Sequence, residues 1–220
     1  MQTNQTPARP LIPLADYQRI FRVIHSVLDS VDADIPASSF FFSVTAAQIL
    51  KKFYKLNAFP VAGAAFYLIS EKQSGALSFG VLEGEHPDQV GSNRDAFHCW
   101  VQCDEYAIDF MAPLFQELLE AAGHSMPVPR LMFQKSLKRM AESVDALHAA
   151  GDFHFTSNLE LTRELLQRFL ADKALSNLSK VCIEWYRKPP KTMEENMALQ
   201  NEEGEVSRIS FIPTGINGVW

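Results

Sequence analysis

Two side chains on neighbouring predicted strands, His98 and Asp109, could together support acid–base chemistry. A carboxylate that accepts a hydrogen bond from one imidazole nitrogen fixes the tautomer and raises the basicity of the other nitrogen. Such a pair supplies the base, and the group that orients it, in a nucleophile–base–orienter triad. This chemistry requires that both side chains lie on one face of a sheet.

The numbering of a predicted β-hairpin, residues 96–103 and 106–110, allows that requirement to be checked. Side chains alternate between the two faces along a strand. If a two-residue turn follows Cys103, Asp109 lies diagonal to His98 on the same face. If the turn begins one residue earlier, His98 lies directly opposite Asp109. Either register brings the pair together, whereas a three-residue turn would separate it.

The three cysteines do not fit the same site. Cys99 and Cys103 alternate with His98, so their thiols face the other side of the strand and cannot use His98 as a base. They are interpreted as small buried residues, as is Cys182 in the apolar stripe of a helix. Three thiols are too few for a disulfide scaffold, and no signal segment precedes the first helix, so we expect a cytoplasmic protein.

Composition excludes two classes of partner. The chain has 220 residues, of which 47% are hydrophobic, and no apolar run approaches the ~20 residues of a membrane helix. Lysine and arginine number 20 against 26 acidic residues, and they form no basic stripe, so we expect no nucleic-acid partner. No histidine pair has metal-ligand spacing and no glycine motif suits phosphate, so no metal or cofactor is predicted.

The elements that would position the pair follow from periodicity and breakers. Residues 1–13 are expected to be disordered and residues 14–220 to form one α+β domain. Five helices are predicted. Four have the ranges 14–31, Ser38 or Ser39 to Tyr54, 111–122 and 175–185. The fifth follows a capping box that begins at Ser157. Strands are predicted at 58–69, 76–82, 130–135 and 206–212, besides the hairpin. Residues 83–95 are expected to form an exposed loop, and the polar stretch before Glu205 a short surface helix.

Four of these segments together resemble the papain-like superfamily, in its transglutaminase and arylamine N-acetyltransferase branch. They are the helix Ser38–Tyr54, the strand element Val61-Ala62-Gly63, the His98-Cys99-Trp100 motif and Asp109 on the next strand. Residues 97–115 also resemble a bacterial family of uncharacterised proteins with this fold. The resemblance covers about half the chain, residues 38–115, and implies an antiparallel sheet packed on a central N-terminal helix. It does not extend to the second half of the chain, where extra helices are expected from the periodicity.

The nucleophile departs from the superfamily pattern. At the position where enzymes of the superfamily carry cysteine, this chain has Phe40, and Ser39 beside it is the best substitute. A serine hydroxyl is a far weaker nucleophile than a thiolate and needs a well-placed base. We therefore expect a catalytically degenerate relative that retains the His98–Asp109 pair and acts as a binding or structural module.

The alternative is a serine-dependent amide or ester hydrolase, or an acyltransferase, in which Ser39, His98 and Asp109 form the catalytic triad. Substrate-binding roles are then predicted for Phe40, Ser43 and Trp100. In both cases a small molecule or peptide is expected in a cleft near His98. A third interpretation is that the pair is a buried structural hydrogen bond, for which Asp109→Asn should cost stability alone.

Overall fold

The protein is described by a computed structural model at residues 10–70, 75–82, 90–200 and 204–220. It is an α+β structure with a curled antiparallel sheet. The α-helices are α1 (Leu14–Asp29), α2 (Ser39–Ile49), α3 (Phe115–Ala121), α4 (Leu159–Ala171) and α5 (Lys173–Trp185). The strands are β1 (Ala58–Ser70), β2 (Gly75–Phe79), β3 (Val81–Leu82), β4 (Val90–Gly91), β5 (His98–Cys103), β6 (Tyr106–Asp109), β7 (Phe133–Ser136), β8 (Phe153–Ser157), β9 (Asn196–Gln200) and β10 (Val206–Ser210).

The long strand β1 organises the main sheet, whose order is β2-β1-β5-β6-β7 with β8 also paired to β1. One edge of β1 pairs first with β5 and then with β2, while the other edge pairs with β8. Gly63 lies where the pairing changes, opposite His98 on one edge and Ser157 on the other. A Cβ atom at residue 63 would collide with the carbonyl oxygen of Thr156, so this crossing point requires glycine.

Helix α2 packs against β1 and β5 and also contacts α1 and α5. Ten of its 11 residues are buried, which explains why its sequence is apolar all round instead of striped. A π-helical turn, Leu50–Tyr54, continues it and ends at Lys55 in the left-handed region, with φ of 59°. The predicted helix from Ser39 to Tyr54 is therefore confirmed in extent, with a wider last turn.

Other predictions needed correction. The strand predicted at 76–82 is broken at Gly80, and the helix predicted at 111–122 is a 3-10 turn, Ala112–Leu114, followed by α3. The stretch predicted as a surface helix contains β9, which pairs with β10 in a separate two-stranded sheet. Strand β8 was not predicted. The turn at 71–74 and residues 83–89 of the predicted loop lie outside the described residues.

The N-terminal prediction is wrong for residues 10–13. Ile12 is fully buried, and its backbone N–H donates to Gln134 Oε1 at 3.0 Å, which anchors this segment to β7. Residues 1–9 lie outside the described residues. At α4 the capping residue is Asn158, whose Oδ1 accepts from the Leu161 N–H, one position later than the predicted box. Within the described parts of the chain, no helix combines the length and apolarity needed to cross a membrane.

Candidate functional site

The hairpin adopts the first of the two predicted registers. Cys103 pairs with Tyr106, and Val101 pairs with Ile108. Asp109 is therefore diagonal to His98, and His98 Nε2 lies 2.8 Å from Asp109 Oδ2. The predicted His98–Asp109 contact is confirmed.

Asp109 is the centre of a buried polar network. Its Oδ2 also accepts the hydroxyl of Tyr67 at 2.6 Å, and its Oδ1 accepts the N–H of Met111 at 2.7 Å. Asp109 is completely buried and His98 is 1% exposed. The carboxylate thus has three donors around it, which is how buried charged groups are accommodated in proteins. Tyr67 was missed in the sequence, although it lies four residues after Gly63 and so shares the face of the residue that pairs with His98.

Aromatic rings seal this network from solvent. Phe79 stacks on His98 with ring centroids 4.3 Å apart, and Tyr67 meets the imidazole edge-on at 5.9 Å. Trp100, two residues along the strand, stacks on Phe155 at 4.3 Å. The imidazole is therefore a buried side chain, packed between the rings of Phe79 and Tyr67.

Ser39 lies on the other side of the sheet. Its hydroxyl lies beside the thiol of Cys99, the residue that follows His98 in β5, and lowers the pKa of that thiol. Because adjacent residues of a strand face opposite sides, Ser39 and His98 are separated by the sheet. The triad arrangement of Ser39, His98 and Asp109 is thus corrected: the base and orienter are together, and the proposed nucleophile is not with them.

The predicted substrate-binding residues are also dispersed. Trp100 is on the His98 face, whereas Ser43 is buried within α2. Phe40 contacts the ring of Phe169 from α4 at a centroid distance of 6.2 Å. The side chain over His98 is Phe79, so Phe40 does not fill the space beside the imidazole.

The environment of each thiol disfavours the thiolate form. Burial raises the pKa of Cys99 well above its usual range, and the nearby Ser39 hydroxyl opposes this shift only in part. Burial likewise raises the pKa of Cys182, and raises that of Cys103 to about 11. Among the described residues, no three or more histidine, cysteine, aspartate or glutamate side chains are grouped as a metal site would require.

An open apolar groove lies at the start of α2, on the Ser39 side of the sheet. It has a volume of about 460 Å³ and runs between the end of α1, the start of α2, α4 and α5. Eleven of its 15 lining residues are apolar, and four of these are phenylalanines: Phe40, Phe41, Phe97 and Phe169. Val31 on its rim is 47% exposed. Phe97 directly precedes His98, so the groove reaches the beginning of β5.

A model of the family described as a protein of unknown function (DUF2026) matches residues 13–220 of the chain. The chain belongs to the DUF2026 family. No curated protein matches it. The crystal structure of the structural-genomics target APC5867 is similar to this DUF2026 member, with 34% sequence identity and a TM-score of 0.82. The similarity covers 96% of this chain and 98% of that one, so the two share the whole α+β fold.

Proposed function

We propose that this DUF2026 protein is a non-catalytic binding protein of papain-like ancestry, and that the groove at the start of α2 holds its ligand. The observation that carries the proposal is the position of His98: its ring is 1% exposed, stacked under Phe79, and on the face opposite Ser39. A general base must come within hydrogen-bond reach of the proton it removes. Among the described residues, the group within hydrogen-bond reach of His98 Nε2 is Asp109.

The order of the elements supports the papain-like part of the proposal. A buried helix, α2, precedes β1, and α2 packs against both β1 and β5. The His98–Asp109 pair then lies on the β5–β6 hairpin, as the resemblance implies. In this account the pair is retained because it stabilises the sheet, through Tyr67 and Met111, after the nucleophile was lost.

The groove supports the binding part. Small-molecule sites are concave, mostly apolar and about 300–1,000 Å³ in volume, and this groove fits that description. Val31 and Ala37 are the exposed apolar residues of the lining, and the other apolar residues are partly or fully buried, so the groove presents a partly accessible apolar wall. Phe40, at the position where the superfamily carries its nucleophile, contributes its ring to the groove wall.

Absence of catalysis is tested with a fluorophosphonate probe and a panel of esters on the wild type, Ser39→Ala and His98→Gln. We expect no covalent labelling and no turnover above buffer. Labelling of the folded wild type that disappears in both variants would show an active triad and overturn the proposal.

Binding is tested by calorimetric titration with decan-1-ol, a neutral apolar probe. Ala37 lines the groove and is exposed, so Ala37→Trp should fill the groove without disturbing the core. The matched control is Ala149→Trp, at an exposed alanine that is not part of the groove lining. We expect Ala37→Trp to abolish binding and Ala149→Trp to retain it. Equal binding by both variants would exclude the groove.

A further inference from the structure

The charges at the rim of the groove indicate what kind of apolar molecule it would hold. Two carboxylates, Asp34 and Asp172, belong to its lining. Asp34 is exposed, and its carboxylate has no hydrogen-bond or ion-pair partner among the described residues. The hydroxyl of Ser38 donates to the backbone carbonyl of Asp34, not to its side chain. Asp172 caps α5 by accepting from the N–H groups of Ala174 and Leu175, and it pairs with no cation in the described structure. The charge of Asp34 is therefore available to a ligand, whereas that of Asp172 is shared with the N-terminus of α5.

The positive charge in the lining is only partly compensated, because its arginine shares one carboxylate with a second arginine. Arg168 is the one cationic residue among the described residues that line the groove. Its Nε lies 3.0 Å from Oε1 of Glu164, which also receives Arg94 at 2.7 Å. Asp34, Asp172 and Glu164 carry three negative charges against the two positive charges of Arg168 and Arg94, so the rim keeps a net charge of −1, which disfavours an anionic ligand.

The aromatic lining acts in the same direction as the carboxylates. The faces of phenylalanine rings carry negative electrostatic potential and attract ammonium groups within about 6 Å. Three phenylalanines of the lining lie near the rim: Phe40 and Phe41 in the first turn of α2, and Phe97 directly before β5. An apolar body with one ammonium group would be compatible with both the walls and the rim.

We propose that the groove between α1, α2, α4 and α5 binds an apolar cation, a small molecule with an apolar body and a single ammonium group that lies between Asp34 and Asp172. This inference rests on the proposed function, because it assumes that the groove holds a ligand, and it adds the charge of that ligand.

The test compares decylammonium, decan-1-ol and decanoate, three probes with the same chain and different head groups, by calorimetric titration at pH 7 below their micelle concentrations. We expect decylammonium to bind about tenfold more tightly than decan-1-ol and decanoate to bind most weakly, a tenfold ratio being about 1.4 kcal/mol. In 1 M NaCl the advantage of decylammonium should fall to about twofold or less, because salt screens exposed charges.

The variant is the double substitution Asp34→Asn and Asp172→Asn, in which asparagine at residue 172 keeps the helix cap. It should lower decylammonium affinity about tenfold and leave decan-1-ol binding unchanged. Asp145→Asn, at an exposed carboxylate outside the groove lining, is the matched control and should change neither.

The possible outcomes separate the two proposals. If all three probes bind equally and Ala37→Trp abolishes their binding, the groove is a ligand site but the charge inference is wrong. If decanoate binds most tightly, the charge inference is also wrong. If no probe binds, or if Ala37→Trp leaves all binding intact, the proposed function itself fails.

Discussion

The carboxylate of Asp109 should contribute to stability and to nothing else, and Asp109→Asn tests this. The amide can still accept the Met111 N–H, but its NH2 group would replace the oxygen that accepts from Tyr67 and contacts His98. A hydrogen bond to a charged group contributes about 1.5–3 kcal/mol, and breaking a buried pair costs about 3–5 kcal/mol. We expect the variant to lose about 3–5 kcal/mol of unfolding free energy, or about 6–20 °C in Tm.

The assay is urea unfolding followed by circular dichroism. Tyr67→Phe removes a single donor from the same carboxylate and should cost about 1.5–3 kcal/mol. Asp145→Asn, an exposed aspartate, should remain within about 0.5 kcal/mol of the wild type. Binding of decan-1-ol should be the same in all folded variants. If Asp109→Asn unfolds at the wild-type urea midpoint, or keeps its stability and loses binding, the network is not the structural element described above.

Three other predictions concern the helix cap, the thiols and alkaline pH. Asn158→Ala should cost about 1 kcal/mol in urea unfolding because it removes the cap of α4, whereas Ser157→Ala should change stability by less than about 0.5 kcal/mol; the reverse order would favour the box predicted at Ser157. All three cysteines are free and buried, so a thiol reagent such as dithionitrobenzoate should titrate three groups in guanidinium and none in the native protein, and rapid native labelling would contradict the burial of Cys99, Cys103 and Cys182. Burial raises the pKa of Tyr67 well above 10 and the charge of Asp109 raises it further, so above about pH 10 the unfolded chain releases protons that the folded chain keeps. The urea midpoint should therefore fall as the pH rises from 8 to 10.5, and less steeply in Tyr67→Phe; a flat profile would count against this explanation.

The hairpin that carries His98 and Asp109 could be predicted because its geometry depends on residues close together in the chain. The alternation in the hairpin and the length of its turn determine which residues share a face, and the structure confirms the His98–Asp109 contact. The apolar run at β1 and the capped helices are similarly local. Each of these features depends on residues close together in the chain.

What the sequence did not reveal depends on distant contacts. Strand alternation places His98 and Cys99 on opposite faces of the sheet, but which of these faces α2 and its Ser39 cover is decided by the packing of the whole sheet. Strand β8 has five residues and pairs with β1 about 90 residues earlier, so no local pattern marks it. Ile12 is held in place by a hydrogen bond to Gln134, 122 residues away. The prolines on both sides of Ile12 favoured a prediction of disorder, because this distant contact leaves no local pattern in the sequence.

The two edges of β1 are completed at very different times during synthesis. Residues 75–103 supply the partners of one edge soon after β1 leaves the ribosome, whereas the opposite edge waits for residues 153–157. At about 5–20 residues per second, the second edge stays open for several seconds on a nascent chain. That open edge is a strand of small and aromatic residues with unpaired amides, the kind of surface on which chains associate wrongly. A chain truncated before residue 153 should therefore keep this edge of β1 open.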